Sequence, residues 1–328
     1  MYTSPVLKNI SNYRTGGACL KLFEPSTKEE LKQNLEEIHR RSLPVFFLGG
    51  GSNSLVLDEY WDGAVLSFRN LNMLRIEEGV KLHCGAGFVN TSLCEFALKH
   101  QLSGIEWMYT LPGQLGGTIR MNARCYGGEI SQVVDKVYAM TLEGEEKIFD
   151  ARKEGVFRGY KDTVFMNNNL LIYAADLVLT HQEDTLLMRK KMETCKKDRE
   201  SKGHFEFPSC GCVFKNNYDP EISVPSGMLL DYVGAKELSF GEAKVSSKHA
   251  NFIYNTGEAS SRDILELALL MREKVWGVFQ VWLEFEMEIL GELSLDLKKR
   301  VFEKREHIYN RPLLAKLRSQ FGSKPRTY

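Results

Sequence analysis

No stretch of this 328-residue chain approaches the ~18 consecutive apolar residues that would cross a bilayer. The longest candidate, LLIYAADLVL over 170–179, carries Asp176, so no membrane partner is expected. The amino-terminal MYTSPVLKNISNYRT lacks the apolar core of a signal peptide, and the expected location is the cytoplasm. Nor is there an excess of either charge: 43 Lys+Arg stand against 43 Asp+Glu. Without a global positive field to hold a phosphate backbone, no nucleic-acid partner is expected. Cysteine is sparse and scattered, at 19, 84, 94, 125, 195, 210 and 212, an odd number with no CxxC pair. That pattern supplies neither a disulfide framework nor a zinc ribbon, and no metal is expected. Internal repeats are absent.

What is present is a globular composition, 43% hydrophobic and 26% charged, with a length that on a prior of ~150 residues per domain suggests two or three packed units. Ser26-Thr27-Lys28-Glu29 reads as a capping box opening a helix with Leu31, Leu35 and Ile38 on one face, ending before Pro44. Val45-Phe46-Phe47-Leu48 reads as a buried strand that runs into Gly49-Gly50-Gly51-Ser52-Asn53-Ser54. Strands are expected at GAVLSF, VKLHCGAG, KVYAMTLEG and LLIYAADLVLT, and helices from about Thr91 to His100 and about 184 to 202. A further region, roughly 205–290, holds PSCGCVFKN, a helix near GMLLDYVGA, a strand in HANFIYN, a helix near SSRDILELALLMREKVWGVF and an alternating strand VWLEFEMEIL. In that last strand Val281, Leu283, Phe285, Met287 and Ile289 share one face and Glu284, Glu286 and Glu288 the other. The order of elements is α+β. Residues 292–328 hold ten Lys+Arg against four Asp+Glu and read as an appended basic tail, part helix.

Glycine after a strand lets successive main-chain N–H groups converge on an anion, because no side chain blocks the approach. Gly49 to Asn53 is therefore a candidate pyrophosphate cradle, or simply a tight turn; the Lys-Ser/Thr of a Walker A loop is missing. Gly85-Ala86-Gly87-Phe88-Val89-Asn90 opens like a dinucleotide fingerprint, with Asn90 in place of the third glycine. It supports an alternative reading as a nicotinamide dehydrogenase with a Rossmann domain. A second glycine-rich segment, Leu111-Pro112-Gly113-Gln114-Leu115-Gly116-Gly117, is followed by Met121-Asn122-Ala123 and Tyr126-Gly127-Gly128-Glu129. Two separated glycine loops suit a long dinucleotide such as FAD.

GGGSNSLV, LPGQLGGTIRMNARCYGGE, PSCGCVFKN and KVSSKHANFIYNTG, with YRTGG at 13–17, occur in the order and spacing of the UDP-N-acetylenolpyruvoylglucosamine reductases, the MurB family, which the chain resembles from about residue 8 to 291. The resemblance implies a two-lobed FAD-binding module of the vanillyl-alcohol oxidase-like (PCMH-type) class plus a smaller α+β substrate domain. The implied boundaries are 1–75 and 76–203 for the FAD lobes, 204–291 for the substrate domain and 292–328 for the basic extension. The implied activity is NADPH-dependent, FAD-mediated reduction of the enolpyruvyl ether of UDP-N-acetylglucosamine to UDP-N-acetylmuramate in peptidoglycan precursor synthesis. FAD would be bound by Gly49, Gly50, Gly51, Ser52, Asn53, Ser54, Pro112, Gly113, Gly116, Gly117, Asn122 and Ala123, and a monomer is expected.

The family's proton donor is a serine, and the position matching it is Cys212, a thiol whose ordinary pKa of ~8.5 makes it the stronger acid. Read without the resemblance, Cys212 is a buried core cysteine or half of a CxC metal pair with His204 and His249. The family's catalytic arginine matches Lys161, which keeps the charge but not the planar fork; a solvated loop lysine, with Arg158 substituting, is the alternative. Glu286 matches the catalytic glutamate, with Glu284 the register alternative and a solvated sheet face the plain one. Tyr160, Lys202 and Asn216 match substrate-binding positions, Lys202 toward the UDP phosphates, and His204 stands where a proline is usual. Only His181 to Asp184 join the LLIYAADLVLT strand to the next helix, too few for the tyrosine-bearing lid of one subclass. A flavin-retaining paralogue without activity is the remaining rival.

Overall fold

The computed structural model describes residues 4–166, 169–216 and 223–320; residues 321–328 of the basic extension, with Lys324 and Arg326, lie outside the described residues. Eight α-helices occur among them: α1 (Lys28–Arg40), α2 (Asn90–Lys99), α3 (Leu115–Arg120), α4 (Thr185–Ser201), α5 (Ser226–Tyr232), α6 (Ser261–Phe279), α7 (Leu295–Val301) and α8 (Arg311–Gln320). The chain forms two compact units. Among the described residues, unit I comprises 4–19, 51–61 and 199–320, and unit II comprises 20–50 and 62–198.

In unit II, α1 places Leu31, Leu35 and Ile38 against Phe23, Ala64, Leu66, Met140 and Leu171. Its cap is Thr27, whose side chain accepts from the Glu30 amide at 3.1 Å, while Glu30 Oε2 accepts from the Ser26 amide at 2.7 Å. The cap therefore falls one residue later than the Ser26-to-Glu29 box expected from sequence. Capping at Ser26 would force the β-branched Thr27 into the first turn, where its side chain loses freedom. Beside α1 lies a three-stranded sheet in the order Cys19–Phe23, Trp61–Ser67, Val45–Leu48, the last two parallel with Leu48 opposite Ser67.

A five-stranded sheet runs Glu146–Asp150, Val134–Met140, Leu171–Val178, Lys81–Gly85, Leu74–Ile76, antiparallel throughout. A Rossmann domain needs parallel βαβ units, so the dehydrogenase reading of Gly85-Ala86-Gly87 falls. Those glycines serve a backbone crossing instead. A Cβ would come within 2.1 Å of the Leu71 carbonyl oxygen at Gly85 and of the Phe68 carbonyl oxygen at Gly87, where main-chain bonds of 2.7 Å (Gly85 to Met73) and 2.8 Å (Gly87 to Leu71) hold the segments together. The central strand Leu171–Val178 is buried on both faces apart from Val178, which is why its sequence reads as one apolar run. Asp176 within it accepts from Tyr138 at 2.9 Å, meets His83 Nδ1 at 2.7 Å and pairs with Lys81 at 3.0 Å. Burial pushes its carboxyl up, but bonds from His83, Lys81 and Tyr138 outweigh that and hold it below the usual carboxylate range.

In unit I, α6 opens with a reciprocal capping box between Ser260 and Asp263 and buries Ile264, Leu265, Leu267, Ala268, Met271, Val275 and Phe279. It packs with the small sheet Ser239–Phe240, Ala243–Val245, Ile253–Asn255. Glu288–Leu290 pairs in parallel with Ser54–Val56. The ten-residue alternating strand expected over 281–290 is thus cut to three residues. Trp282, on the side assigned to the glutamates, is 4% exposed, because its indole N–H donates to the Glu303 carbonyl at 2.8 Å and its ring lies 4.1 Å from the Arg272 guanidinium. The extension is likewise not merely appended: Val301, Leu314 and Leu317 are buried in the same core cluster as α6.

Candidate active site

The first glycine loop begins where Val45–Leu48 ends. At Gly50 a Cβ would stand 3.0 Å from Gly113 Cα, so the two glycine loops meet main chain to main chain and no side chain fits at their contact. Beside them space opens: nothing lies within 4 Å of a Cβ on Gly117, and only Gln114 Oε1, at 3.8 Å, faces one on Gly49. Gln114 Oε1 and Ser67 Oγ are buried without a hydrogen-bond partner among the described residues. Unmet buried polar atoms beside a side-chain-free main-chain cradle fit a polar cofactor such as FAD. Neither Ser67 nor Gln114 is singled out by the sequence, although Gln114 sits inside the LPGQLGG motif. Gly116 has a different reason to be glycine, since its Cβ would meet Ala86 Cβ at 2.8 Å.

Asn122 links the second glycine segment to the hairpin that bears Tyr160 and Lys161. Its φ is +42°, in the left-handed region, and its side-chain amide donates to Glu129 at 2.8 Å and to the Gly159 carbonyl at 3.1 Å. Thr163 Oγ1 donates to the Arg120 carbonyl at 2.7 Å, pinning the other side of that hairpin. Lys161, at φ +53°, occupies its tip, with its ammonium 6.0 Å from the Tyr160 ring, and Arg124 lies 4.5 Å from the same ring. Arg158 is otherwise engaged: its guanidinium donates to Asp162 at 3.0 and 2.7 Å and to the Thr163 carbonyl at 2.7 Å.

Unit I carries Cys212, Glu286, Lys202 and Asn216. Gly211, at φ +79°, turns the chain before Cys212, which is half-buried and bridges Phe252 through the main chain. Asn251 locks the next residues: its carbonyl accepts from the Val213 amide at 2.9 Å, and its side chain bonds both the amide (3.0 Å) and carbonyl (2.8 Å) of Phe214. Val213 in turn accepts from the Glu286 amide at 2.8 Å, which brings Glu286 beside the Cys212 segment. Glu284, the register alternative, is exposed and pairs with Lys215 at 3.5 Å. Cys210 is fully buried; burial first, with Glu286 and Cys212 adding to it against an opposing Tyr13 contact, pushes its thiol up. Tyr13, from YRTGG, is fully buried beside it.

Asn216 Oδ1 accepts from the Ser226 amide at 3.0 Å at the start of α5. His204 stacks on Phe252 with centroids 4.6 Å apart, and His249 lies 4.6 Å from the same ring. Burial, then Lys202, pushes His249 down to about 4. Among the described residues, Cys210 and Cys212 do not group with His204 and His249 as converging ligand atoms. Among the described residues the group with converging ligand atoms is instead Glu77, His83 and Asp176, where Lys81 already neutralises Asp176 at 3.0 Å. No helix of the described residues is long and apolar enough to cross a membrane.

Residues 20–149 match the family of FAD binding domains, and residues 203–290 match the family described as UDP-N-acetylenolpyruvoylglucosamine reductase, C-terminal domain. The chain is 37% identical over 292 residues to a UDP-N-acetylenolpyruvoylglucosamine reductase of Borrelia garinii, covering 88% of this chain and 93% of that protein. It is 36% identical over 295 residues to one of Carboxydothermus hydrogenoformans, covering 88% and 95%. The solved UDP-N-acetylenolpyruvylglucosamine reductase of Thermus caldophilus superposes with a TM-score of 0.70 at 29% identity, over 88% of this chain and 98% of that one.

Proposed function

The chain belongs to the UDP-N-acetylenolpyruvoylglucosamine reductase family, and from that premise we infer that it reduces the enolpyruvyl ether of UDP-N-acetylglucosamine to UDP-N-acetylmuramate. It is an FAD-dependent oxidoreductase of peptidoglycan precursor synthesis, with NADPH as co-substrate. The observation that carries this is the joint match of an FAD binding domain and the reductase's own C-terminal domain on one chain. Segments 1–75 and 76–203 serve FAD, 204–291 serves the sugar nucleotide, and the protein works as a cytoplasmic monomer without nucleic acid or membrane.

FAD, when bound, would supply the hydride chemistry between NADPH as donor and the β-carbon of the enolpyruvyl group as acceptor. The glycine loop 49–54 and the segment 112–123 would hold it, with Ser67 and Gln114 offering their unmet polar atoms. As the β-carbon gains its hydrogen, electron density moves toward the α-carbon and the carboxylate, where the ammonium of Lys161 stabilises it. The thiol of Cys212 gives its proton to the α-carbon, so one hydride and one proton complete the D-lactyl ether. Glu286 orients that thiol, which its main-chain bond to Val213 supports. Tyr160, Lys202 and Asn216 bind the substrate, Lys202 by its charge on the diphosphate.

The test is anaerobic. The FAD-loaded protein is bleached with NADPH, the enolpyruvyl sugar nucleotide is added, and the flavin absorbance is followed. Return of the oxidised spectrum with one product per flavin is expected. A protein that is reduced but never reoxidised by this substrate would be a flavin-retaining protein without the activity.

A further inference from the structure

We propose that Arg272 and the chain beyond residue 291 form a strut that positions Glu286, making Arg272 a positioning residue for the reductive step; this rests on the role given to Glu286 above. The match to the family's C-terminal domain covers residues 203–290, so Arg272, Trp282 and Phe285 lie inside it and residues 300–307 of the strut lie outside the matched segment. Arg272 lies on α6 and is 2% exposed. Its guanidinium donates to the Val301 carbonyl at 3.1 Å and to the Arg300 carbonyl at 2.5 Å. Those are the last two carbonyls of α7, where the helix leaves acceptors unmet and gathers partial negative charge. A buried cation is costly without such partners, so α7 is what allows Arg272 to be charged inside the core.

The same guanidinium lies 4.1 Å from the Trp282 ring and 5.0 Å from the Phe285 ring. Trp282 is gripped again by the extension. Arg305 lies 4.1 Å from its ring, the Glu303 carbonyl takes its indole N–H at 2.8 Å, and His307 Nδ1 takes its main-chain N–H at 3.2 Å. Arg305 is fixed in turn by two 2.9 Å bonds to Glu273 on α6. Phe285 passes the constraint inward by stacking on Phe214 with centroids 5.2 Å apart. The next residue is Glu286, whose amide reaches Val213, one position past Cys212. Residues 281–287 have no regular strand ladder of their own; main-chain bonds from Lys215 to Glu284 (2.9 Å) and from Glu286 to Val213 (2.8 Å) hold their inner side, and ring and guanidinium contacts hold the outer side at 282 and 285.

The experiment uses the full-length, FAD-loaded protein and measures both half-reactions by stopped flow. Arg272→Met should be reduced by NADPH within about twofold of the parent but reoxidised by the enolpyruvyl substrate about tenfold more slowly, with Arg272→Lys partly restored. Because the effect acts through Glu286, adding Arg272→Met to Glu286→Gln should cost little beyond Glu286→Gln alone. Equal slowing of both half-reactions, or fully additive losses, overturns the proposal. Arg305→Met leaves the buried clamp in place and guards against failure to fold. In it, amides 283–287 should exchange with deuterium about tenfold faster while those of Ala243–Val245 stay at the parent rate. Unchanged exchange at 283–287 overturns the proposal whatever the turnover. If the parent itself is not reoxidised by the substrate, the functional reading fails instead, and the exchange measurement still decides whether the strut holds this segment.

Discussion

The side-chain amide of Asn53 donates to the main-chain carbonyl of Glu286 at 3.0 Å, and the Glu288 amide returns a bond to the Asn53 carbonyl at 2.8 Å. The glycine loop that would hold the cofactor is thereby tied, within unit I, to the residue proposed to orient the proton donor. The tie spans 233 positions in sequence.

Asn53→Ala should leave that carbonyl with an unmet bond at a cost of about 1–3 kcal/mol. Asn53→Asp should be worse than Ala, because a carboxylate would face the carbonyl oxygen. Urea midpoints of the FAD-loaded proteins rank the three. An aspartate variant as stable as the parent would mean that the contact contributes nothing.

How much of this was legible in the sequence depends on how local each cause is. The Ser260 capping box and the long apolar stripe of α6 are contained within the helix, and the helix lies where its pattern places it. The run 170–180 reads as a strand, and Leu171–Val178 forms one. Gly85 and Gly87 look like a nucleotide fingerprint because their actual reason, the backbone at 68–73, is invisible to a local motif. Residues 281–287 alternate like a strand, yet Trp282 is drawn inward by cations at 272 and 305. The basic count of the extension suggests a solvated tail, but Arg300 and Arg305 are spent on Glu266 and Glu273 of α6. Of the candidate site, Ser67 and Gln114 emerge only when burial exposes their unmet polar atoms.

Cys212→Ser should remain active, since an alcohol can serve as the proton donor, whereas Cys212→Ala should still be reduced by NADPH and fail to reduce the substrate. Reducing FAD requires no proton at the substrate's α-carbon; completing the D-lactyl ether does. Stopped-flow absorbance separates the two phases. Normal reoxidation of the alanine variant would return Cys212 to the role of a packing residue. Alkylation by iodoacetamide should also inactivate the enzyme, and saturating substrate should slow it.

Lys161→Arg should keep turnover and Lys161→Met should lower it about a hundredfold, ~3 kcal/mol of lost charge stabilisation, by analogy with removal of an oxyanion donor. FAD content should change little. Arg158 is held by Asp162 at 2.7 and 3.0 Å, so it should not substitute, and Arg158→Met should lose less activity than Lys161→Met. The opposite order, measured as kcat with both substrates saturating, would move the cation from residue 161 to residue 158.

The pH dependence of stability should carry the mark of His249. Burial comes first and the Lys202 charge second in pushing its imidazole from an ordinary 6.5 down to about 4. The neutral form is also the one the structure needs, because Nδ1 accepts from the Asn251 amide at 3.3 Å. Between those two values the unfolded chain binds a proton that the folded protein refuses, so stability is full above about pH 6.5 and falls as the pH drops toward 4. The whole shift is worth at most about 3 kcal/mol. Glu37, Glu146 and Glu266, whose carboxyls are held below 4.5, lose their contributions lower in the range. The fall from about pH 6.5 to 5 is therefore assigned to His249. Urea denaturation at half-unit steps should show the unfolding free energy declining across that interval in the parent and staying flat in His249→Gln. A parent curve already flat there would mean that the imidazole is not held neutral in the folded protein.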